Sequence, residues 1–177
     1  VNITTRSGVF SYLANELMKA TKGHPVLILM ALGVFTAVVS AFLDNVTTVI
    51  LIMPITFAIA RKLDIDPIPF LLTEIFASNI GGTATLIGDP PNIIIGSAAG
   101  FSFMDFLNNL TGVIVVILFT VTTFLALMFK SKLHADEEKM KEISELDNSK
   151  TITDKNLMIR SMLVLGLVIL GFVTHDI

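Results

Sequence analysis

The chain has 177 residues, of which 53% are hydrophobic and only 15% are charged, whereas about 25% of the residues in soluble domains are charged. This composition predicts an all-α polytopic membrane protein rather than a soluble fold. The net charge is −3, and the absence of Lys and Arg between Lys62 and Lys130 excludes a nucleic-acid-binding surface. The absence of cysteine excludes disulfides and thiolate metal sites. Because the chain begins with Val1 and ends in an apolar run, we expect a fragment of a longer protein.

Residues 1–24 predict an amphipathic helix that lies in the membrane interface. Between Ser7 and Lys22 the apolar residues recur at the spacing of one helical face, and most polar residues fall elsewhere on the helix. Ser7 is a suitable N-cap, and Gly23 followed by Pro25 predicts the end of this helix.

Residues 25–60 predict a helical hairpin. Two uncharged arms, 25–43 and 45–60, flank Asp44, and at 1.5 Å per residue they are about 28 and 24 Å long. Basic residues lie beyond the outer end of each arm: Lys19, Lys22, Arg61 and Lys62. The positive-inside tendency therefore places both ends in the cytoplasm. Arm length alone leaves open whether the tip reaches the far surface or stops within the membrane as a re-entrant loop, and it favours a nearly spanning hairpin.

Residues 67–99 predict a discontinuous transmembrane helix. A first half-helix from Ile68 to Asn79 covers about 18 Å, a little over half of a hydrocarbon core of about 30 Å. Two glycines and the stretch GDPPN then interrupt the helix. A second half-helix is expected to start near Pro90 and to run to about Ala99.

Residues 104–129 predict a full transmembrane helix, because they include 24 uncharged residues from Phe106 to Phe129. Residues 130–156 carry mixed charge and predict a cytoplasmic linker, and residues 157–177 predict the start of a further, truncated span. The expected localisation is the cell membrane, with several crossings. The segments expected in the cytoplasm are residues 1–24, 61–66 and 130–156.

Polar residues at the hairpin tip form the first half of a candidate ion-binding site: Asp44, Asn45, Thr47 and Thr48. Carboxylate, amide and hydroxyl oxygens suit a hard ion such as sodium, which we expect at Asp44, Asn45 and Thr47. A structural alternative stays open, in which Asp44 caps the second arm and the threonines pack between helices.

The second half of the candidate site is the polar stretch at the helix break: Ser78, Asn79, Gly81, Gly82, Thr83 and Thr85. A glycine pair exposes backbone carbonyls, and its neighbours add side-chain oxygens. The alternative is that these small residues serve only close helix packing.

Carboxyl groups in the middle of a membrane are energetically unfavourable. Inserting a charged side chain there costs about 2.5–3.5 kcal/mol even on the scale that gives the lowest values. Asp44 and Glu74 are therefore candidates for proton coupling, and Glu74 is expected on the same helical face as Ser78. Glu74 could equally be a buried structural acid. The remaining acid belongs to a predicted cap of the second half-helix: Asp89, Pro90, Pro91 and Asn92.

Two long motifs, SAFLDNVTTVILIMP and FASNIGGTATLIGDPPNIII, resemble the ion transporter superfamily. The resemblance is to the group of arsenite permeases, NhaD-type sodium/proton antiporters and P-proteins, with a citrate transporter-like domain. It implies an inverted-repeat fold in which each half has one re-entrant hairpin and one unwound helix, and this chain corresponds to about one half. By this resemblance the tip is Asp44 to Thr48, it is re-entrant, and the helix unwinds from Ile80 to Thr85.

Two departures favour one branch of that superfamily. Sodium-coupled dicarboxylate relatives have Ser-Asn-Thr where this chain has Asp44, Asn45 and Thr47 nearby, and they lack the acid that stands here as Asp89. Both differences favour the antiporter and P-protein branch.

The sequence thus predicts a secondary active transporter that exchanges a cation for protons by alternating access, of the sodium–proton type. No Lys or Arg lies within the apolar segments between Pro25 and Ala60 or between Ile68 and Phe129 to pair with an anion, which favours a cation. An anion or carboxylate permease of the citrate type, or an arsenite permease, is the alternative. We expect no cofactor beyond a bound sodium ion. The expected partners are membrane lipid, a small inorganic ion or small anion, and a second copy in a full-length homodimer.

Two other classes of protein fit the sequence less well. An aspartyl intramembrane protease requires Gly-x-Gly-Asp, and the tetrad at 86–89 is Leu-Ile-Gly-Asp, followed at once by two prolines. We therefore expect no enzyme. A membrane scaffold without transport activity would tolerate Asp44→Ala and Gly82→Leu with little effect beyond stability.

Overall fold

The computed structural model describes residues 9–144 together with residues 159, 160, 163, 164 and 167. The helices are α1 Val9–Ala20, α2 Pro25–Ser40, α3 Asn45–Leu63, α4 Ile68–Gly82, α5 Pro90–Ala99, α6 Phe103–Met128 and α7 Glu137–Ser144, with a 3-10 turn at Lys130–Lys132. The all-α prediction is confirmed for these residues. The Ser7 cap, the linker beyond residue 144 and most of the span at 157–177 lie outside them.

Local sequence explains where the helices begin and end. Lys22 and Gly23 both have positive φ, at 52° and 71°, so the chain turns between α1 and α2. The side chain of Asp44 accepts a hydrogen bond from the backbone N of Thr47 at 2.9 Å and caps the start of α3. Ser102 and the third residue of α6 form a reciprocal capping box at the start of that helix.

Helices α2, α3, α4 and α6 pack as a bundle in which neighbours along the chain alternate in direction. Gly33 of α2 lies against Thr73 of α4, and Ala37 lies against Gly81, so α2 and α4 run parallel. The other two helices run the opposite way. For α3 the contacts are Thr56 with Glu74 and Asn45 with Asn79. For α6, Thr122 lies against Gly33, and Leu118 lies in one buried cluster with Ala37.

Two of the described helices, α3 and α6, are long and apolar enough to cross a membrane by length and composition, with 19 and 26 residues. Helix α2 is apolar but has only 16 residues. The exposed surface of α6 is apolar along most of its length, as a lipid-facing or partner-facing helix requires.

The described parts of the three segments expected in the cytoplasm, residues 9–24, 61–66 and 130–144, lie at one end of the bundle. Met18 of α1, Leu63 at the end of α3, and Leu133 are buried in one hydrophobic cluster. Nearby, Nζ of Lys139 lies 2.9 Å from Oδ2 of Asp64, an ion pair that joins α7 to the end of α3. Helix α1 therefore packs against the bundle through its C-terminal half.

Helix α4 ends at Gly82 and α5 begins at Pro90, so residues 83–89 form the break. The first half-helix thus continues three residues beyond Asn79, and the unwinding begins at Thr83 rather than at Ile80. Glycine lowers helix propensity by about 1 kcal/mol relative to alanine. That preference is overridden here because the Gly81 and Gly82 backbones are held against α2 and the hairpin tip.

Candidate ion-binding site at the helix break

Three glycines let the backbone of the break approach its neighbours. A Cβ added at Gly81 would lie 2.1 Å from the carbonyl oxygen and 2.4 Å from the Cα of Ala37. A Cβ at Gly88 would lie 2.4 Å from the Gly82 carbonyl oxygen, and one at Gly82 would overlap the Asn45 amide. Because the obstructing atoms at Gly81 and Gly88 are backbone, a side chain there has no room.

The C-terminal end of α2 is hydrogen-bonded both to α4 and to the break. The Ser40 hydroxyl donates to the carbonyl oxygen of Ser78 at 2.8 Å. The hydroxyl of Thr85 donates to the carbonyl oxygen of Ala41, and it accepts a bond from the backbone N of Gly88 at 3.1 Å. Sequence reasoning missed Ser40, and the signal available was its position four residues before Asp44, at the end of an apolar arm.

The Asn45 side chain projects from the hairpin tip toward the break. One side of its amide faces Ser40 Oγ at 2.8 Å, the Ser78 carbonyl oxygen at 3.0 Å and the Gly88 carbonyl oxygen at 3.3 Å. Carbonyl oxygens only accept hydrogen bonds, so the amide nitrogen belongs on this side. The other side of the amide, which then carries the oxygen, lies 3.3 Å from Oδ1 of Asn79.

Asn92 holds the break from the side of α5. Its Nδ2 lies 2.8 Å from the carbonyl oxygen of Thr85, 3.3 Å from that of Gly82 and 3.4 Å from that of Thr83. The sequence placed Asn92 with a helix cap, whereas the side chain is 8% exposed and reaches back across the break. Buried carbonyls left by an interrupted helix need such a donor.

The other residues expected to cap α5 are placed as follows. Asp89 occupies the N-cap position with extended backbone, φ −143° and ψ 134°, but its side chain makes no capping hydrogen bond. Pro90 and Pro91 form the first helical positions, where a missing N–H costs nothing.

At the hairpin tip, Asp44 is exposed and its carboxylate caps α3, as the structural alternative expected. Among the described residues no hydrogen bond joins Asp44 to the broken helix. Thr48 points inward with 0% exposure, and its hydroxyl has no partner there. The tip residue that meets the break is Asn45.

Several polar groups in residues 78–85, the second half of the candidate site, bond to their own helix. The hydroxyl of Ser78 donates to the carbonyl oxygen of Ile75 at 3.0 Å, and the hydroxyl of Thr83 donates to that of Asn79 at 2.8 Å. The carbonyl of Gly81 accepts from the backbone N of Ala84 at 3.0 Å. The glycine carbonyls that the sequence offered to an ion are thus engaged in internal hydrogen bonds.

Glu74, the second candidate for proton coupling, lies in the interior between α3 and α4 with 0% exposure. Its Oε1 accepts a hydrogen bond from the hydroxyl of Thr56. Its Oε2 has no hydrogen-bond partner in the part of the chain that the structure describes.

The atoms around the break that can coordinate a cation are amide, hydroxyl and carbonyl oxygens. Over residues 9–144 and the five described positions beyond them, no cluster of three His, Cys, Asp or Glu residues forms a metal site. Oxygen donors of this kind suit a hard cation rather than a transition metal.

A bundle of apolar helices, one of them broken opposite the polar residues of a hairpin tip, is an arrangement typical of membrane transporters. Comparison with known protein families agrees: a family model described as citrate transporter, CitMHS, matches residues 1–177. The chain belongs to the citrate transporter family. This family is one of transporters, so the intramembrane protease alternative is excluded.

Similar proteins include a membrane protein, a transporter and the human P protein. The chain is 44% identical over its full length to a 46 kDa membrane protein of Mycobacterium leprae and 41% identical to an uncharacterized transporter of Mycobacterium tuberculosis. It covers 41% of each of these two proteins, so it spans about two fifths of their length. It is also 37% identical to the human P protein over 152 residues, which are 82% of this chain and 18% of that protein.

Proposed function

We propose that this chain forms one half of the ion site in a secondary active transporter that exchanges a cation, of the sodium type, for protons. The observation that carries the proposal is the approach of the Asn45 and Asn79 side chains across the gap between tip and break. With the Asn45 nitrogen bonded to carbonyls, its oxygen faces Asn79 Oδ1 at about 3.3 Å.

Two amide oxygens at that separation repel unless a proton donor or a cation lies between or beside them. The Asn79 amide nitrogen already donates to the Ile75 carbonyl oxygen at 2.8 Å, which fixes its oxygen toward Asn45. Asn79 is exposed in this chain, so further ligands can approach from a segment outside it. Sodium accepts such a set of neutral oxygens, and the Asp44 carboxylate one residue away adds a favourable field.

The start of α5 argues against an anion at the same place. Helix N-termini bind anions through free backbone N–H groups. Here the first two positions are Pro90 and Pro91, which have none, and the N–H of Asn92 already donates to the Asp89 carbonyl oxygen at 3.0 Å. The Asp89 carboxyl beside them opposes an anion further.

The register of the helices supports a re-entrant tip. Gly33 lies against Thr122, and Ala37 packs with Leu118, in antiparallel register. Extending that register places the end of the α2 arm opposite a point near residue 112 of α6. About nine residues, or roughly 14 Å, of α6 then extend beyond the tip. A tip that ends there, facing the broken helix, fits one half of an inverted repeat with alternating access.

A carboxylate permease of the citrate type is the second candidate, and an arsenite permease falls in the same class. A cavity of about 490 Å³ between α5 and α6 is the observation on its side, because Asn92 lines this cavity and also bonds the carbonyls of the break. The Asp105 carboxyl also lines the cavity and opposes an anion there. A volume of this order accommodates a small organic anion together with water.

The test uses the full-length protein containing this chain, reconstituted in liposomes with an internal pH dye. Sodium, lithium, potassium, arsenite and citrate are applied in turn. We expect a sodium-driven pH change that falls at least tenfold in Asn79→Ala, with Asn108→Ala on the exposed face of α6 as the matched control. Uptake of citrate or arsenite without a cation response would refute the antiporter and support the permease. Absence of any flux would refute both.

A further inference from the structure

Among the described residues, four buried side-chain polar atoms have no hydrogen-bond partner, and three of them lie on the three helices that meet around the break. These three are Oγ1 of Thr36 on α2, Oγ1 of Thr48 on α3 and Oε2 of Glu74 on α4. All three residues have 0% exposure. Buried polar groups in proteins almost always have partners, so three exceptions in one region call for a ligand or a mobile proton.

Glu74 is the only acid in this interior, among the residues described, and no counter-charge faces it. The helices packed against α4 are α2, α3 and α6. Helix α2 contains no titratable residue, and the charged residues of the other two lie at their ends: Arg61 and Lys62 on α3 and Asp105 on α6. Asp44 at the tip is exposed and bonded to Thr47. An ionised Glu74 would thus be a buried, unpaired charge, which is strongly unfavourable.

A neutral carboxylic acid fits the same surroundings. One oxygen accepts from Thr56, and the other carries the proton. We propose that Glu74 is the proton-binding residue of this half, and that Asp44 at the hairpin tip caps α3 and attracts the cation electrostatically. This inference deepens the proposed function and rests on it.

Polar faces connect this proton site with the candidate cation site. Glu74 and Ser78 are one helical turn apart on α4, about 6 Å along its axis, and Thr36 and Ser40 have the same spacing on α2. Ser40 in turn donates to Ser78, next to the Asn45 amide. On α3, Thr48 and Thr56 share a face between the tip and Glu74.

The proton and the cation therefore act on one set of contacts. If Glu74 loses its proton, the charge requires water or a movement of α2 or α3 away from it, and either change disturbs the Ser40–Ser78 contact one turn away. That link is a route for exchange coupling, in which one site is loaded when the other is empty.

The structural alternative is an acid that holds α3 to α4 and never releases its proton. A hydrophobic carbodiimide distinguishes the two, because it modifies protonated carboxyl groups in apolar surroundings. In the full-length protein we expect modification at Glu74, identified by peptide mass spectrometry, that falls several-fold as pH is raised. Modification that does not change with pH, or no modification at Glu74 at any pH, would overturn the proposal.

The functional test uses Glu74→Gln, which copies the neutral acid, with Glu137→Gln at the exposed start of α7 as the matched control. We expect Glu74→Gln to retain sodium–sodium exchange within about threefold and to lose proton-coupled sodium transport at least tenfold. Unchanged proton coupling in Glu74→Gln would overturn the proposal. If Glu74→Gln fails to fold, the carbodiimide result on the unaltered protein decides. Modification that depends on pH in a protein without any ion flux would refute the proposed function while keeping the proton site.

Discussion

Replacing Gly81 with alanine tests whether the break is held by direct backbone contact between α4 and α2. The added Cβ would lie 2.1 Å from the Ala37 carbonyl oxygen and 2.4 Å from its Cα. Both distances are more than 1 Å shorter than ordinary van der Waals separations of about 3.5 Å. Neither atom belongs to a flexible side chain, so relief requires that one helix moves away from the other.

The magnitude follows from two opposing terms. Overpacking a tight interior costs about 1–3 kcal/mol, and the upper end applies here because backbone must move. Alanine regains about 1 kcal/mol in helix propensity over glycine. We expect Gly81→Ala to lower the free energy of unfolding by about 2 kcal/mol and to weaken ion binding, because the Ser40–Ser78 contact lies one turn away.

The assay is reversible denaturation in mixed micelles of a mild detergent and sodium dodecyl sulfate. Gly112→Ala on α6 is the matched control, because a Cβ there meets nothing within 4 Å. It should be neutral or slightly stabilising. A Gly81→Ala protein as stable as Gly112→Ala would show that α2 and α4 are not in the contact described.

The remaining predictions concern single polar contacts. Asn92→Leu leaves the carbonyls of the break without their donor and should lower the free energy of unfolding by about 1–3 kcal/mol in the same assay; an unchanged midpoint would contradict the role given to Asn92. Asp44→Ala should cost about 0.5–2 kcal/mol by loss of the N-cap, whereas Asp44→Asn keeps the cap and removes the charge. A loss of sodium-driven flux in Asp44→Asn at unchanged stability would assign the charge to the ion, and unchanged flux would assign Asp44 to capping alone. The Lys139 ammonium lowers the pKa of the Asp64 carboxyl below its usual value near 3.8. Stabilisation by this pair is therefore present above the unfolded pKa and is lost as pH falls through the folded pKa. The difference in stability between the unaltered protein and Lys139→Ala should be small at neutral pH, since the pair is exposed, and should vanish in acid. A difference that grows in acid would contradict this pairing.

The sequence predicted the all-helical fold because its signals were strong and local. Uncharged runs gave the helices, and Pro90 with the preceding residues gave the restart of the broken helix. The charge pattern placed the segments 61–66 and 130–156 on the same side of the membrane. In the structure the Lys139–Asp64 ion pair joins the described parts of these two segments.

Long-range packing set the limits of that prediction. The sequence shows that Gly81 breaks a helix easily, but not that the Ala37 backbone lies against it and keeps α4 helical to the next residue. Ser40 looks like an ordinary residue of an apolar arm until α2 and α4 are aligned in parallel. Asn92 was assigned to a local cap because its true partners are carbonyls seven to ten residues earlier.

The polar atoms of the interior fall into two groups with different physical meanings. Those of the break itself, such as the Ser78 and Thr85 carbonyls, are bonded by Ser40 and Asn92 and therefore form a fixed frame. The unpaired ones, among the described residues, are the hydroxyls of Thr36, Thr48 and Thr111 and one carboxyl oxygen of Glu74. A site that only stabilised the fold would have satisfied both groups, because each unsatisfied buried group costs about 1–3 kcal/mol. Unpaired polar atoms beside a fully bonded frame are what the proposed exchange of ions and protons requires, because the frame then stays fixed while partners of the unpaired atoms come and go.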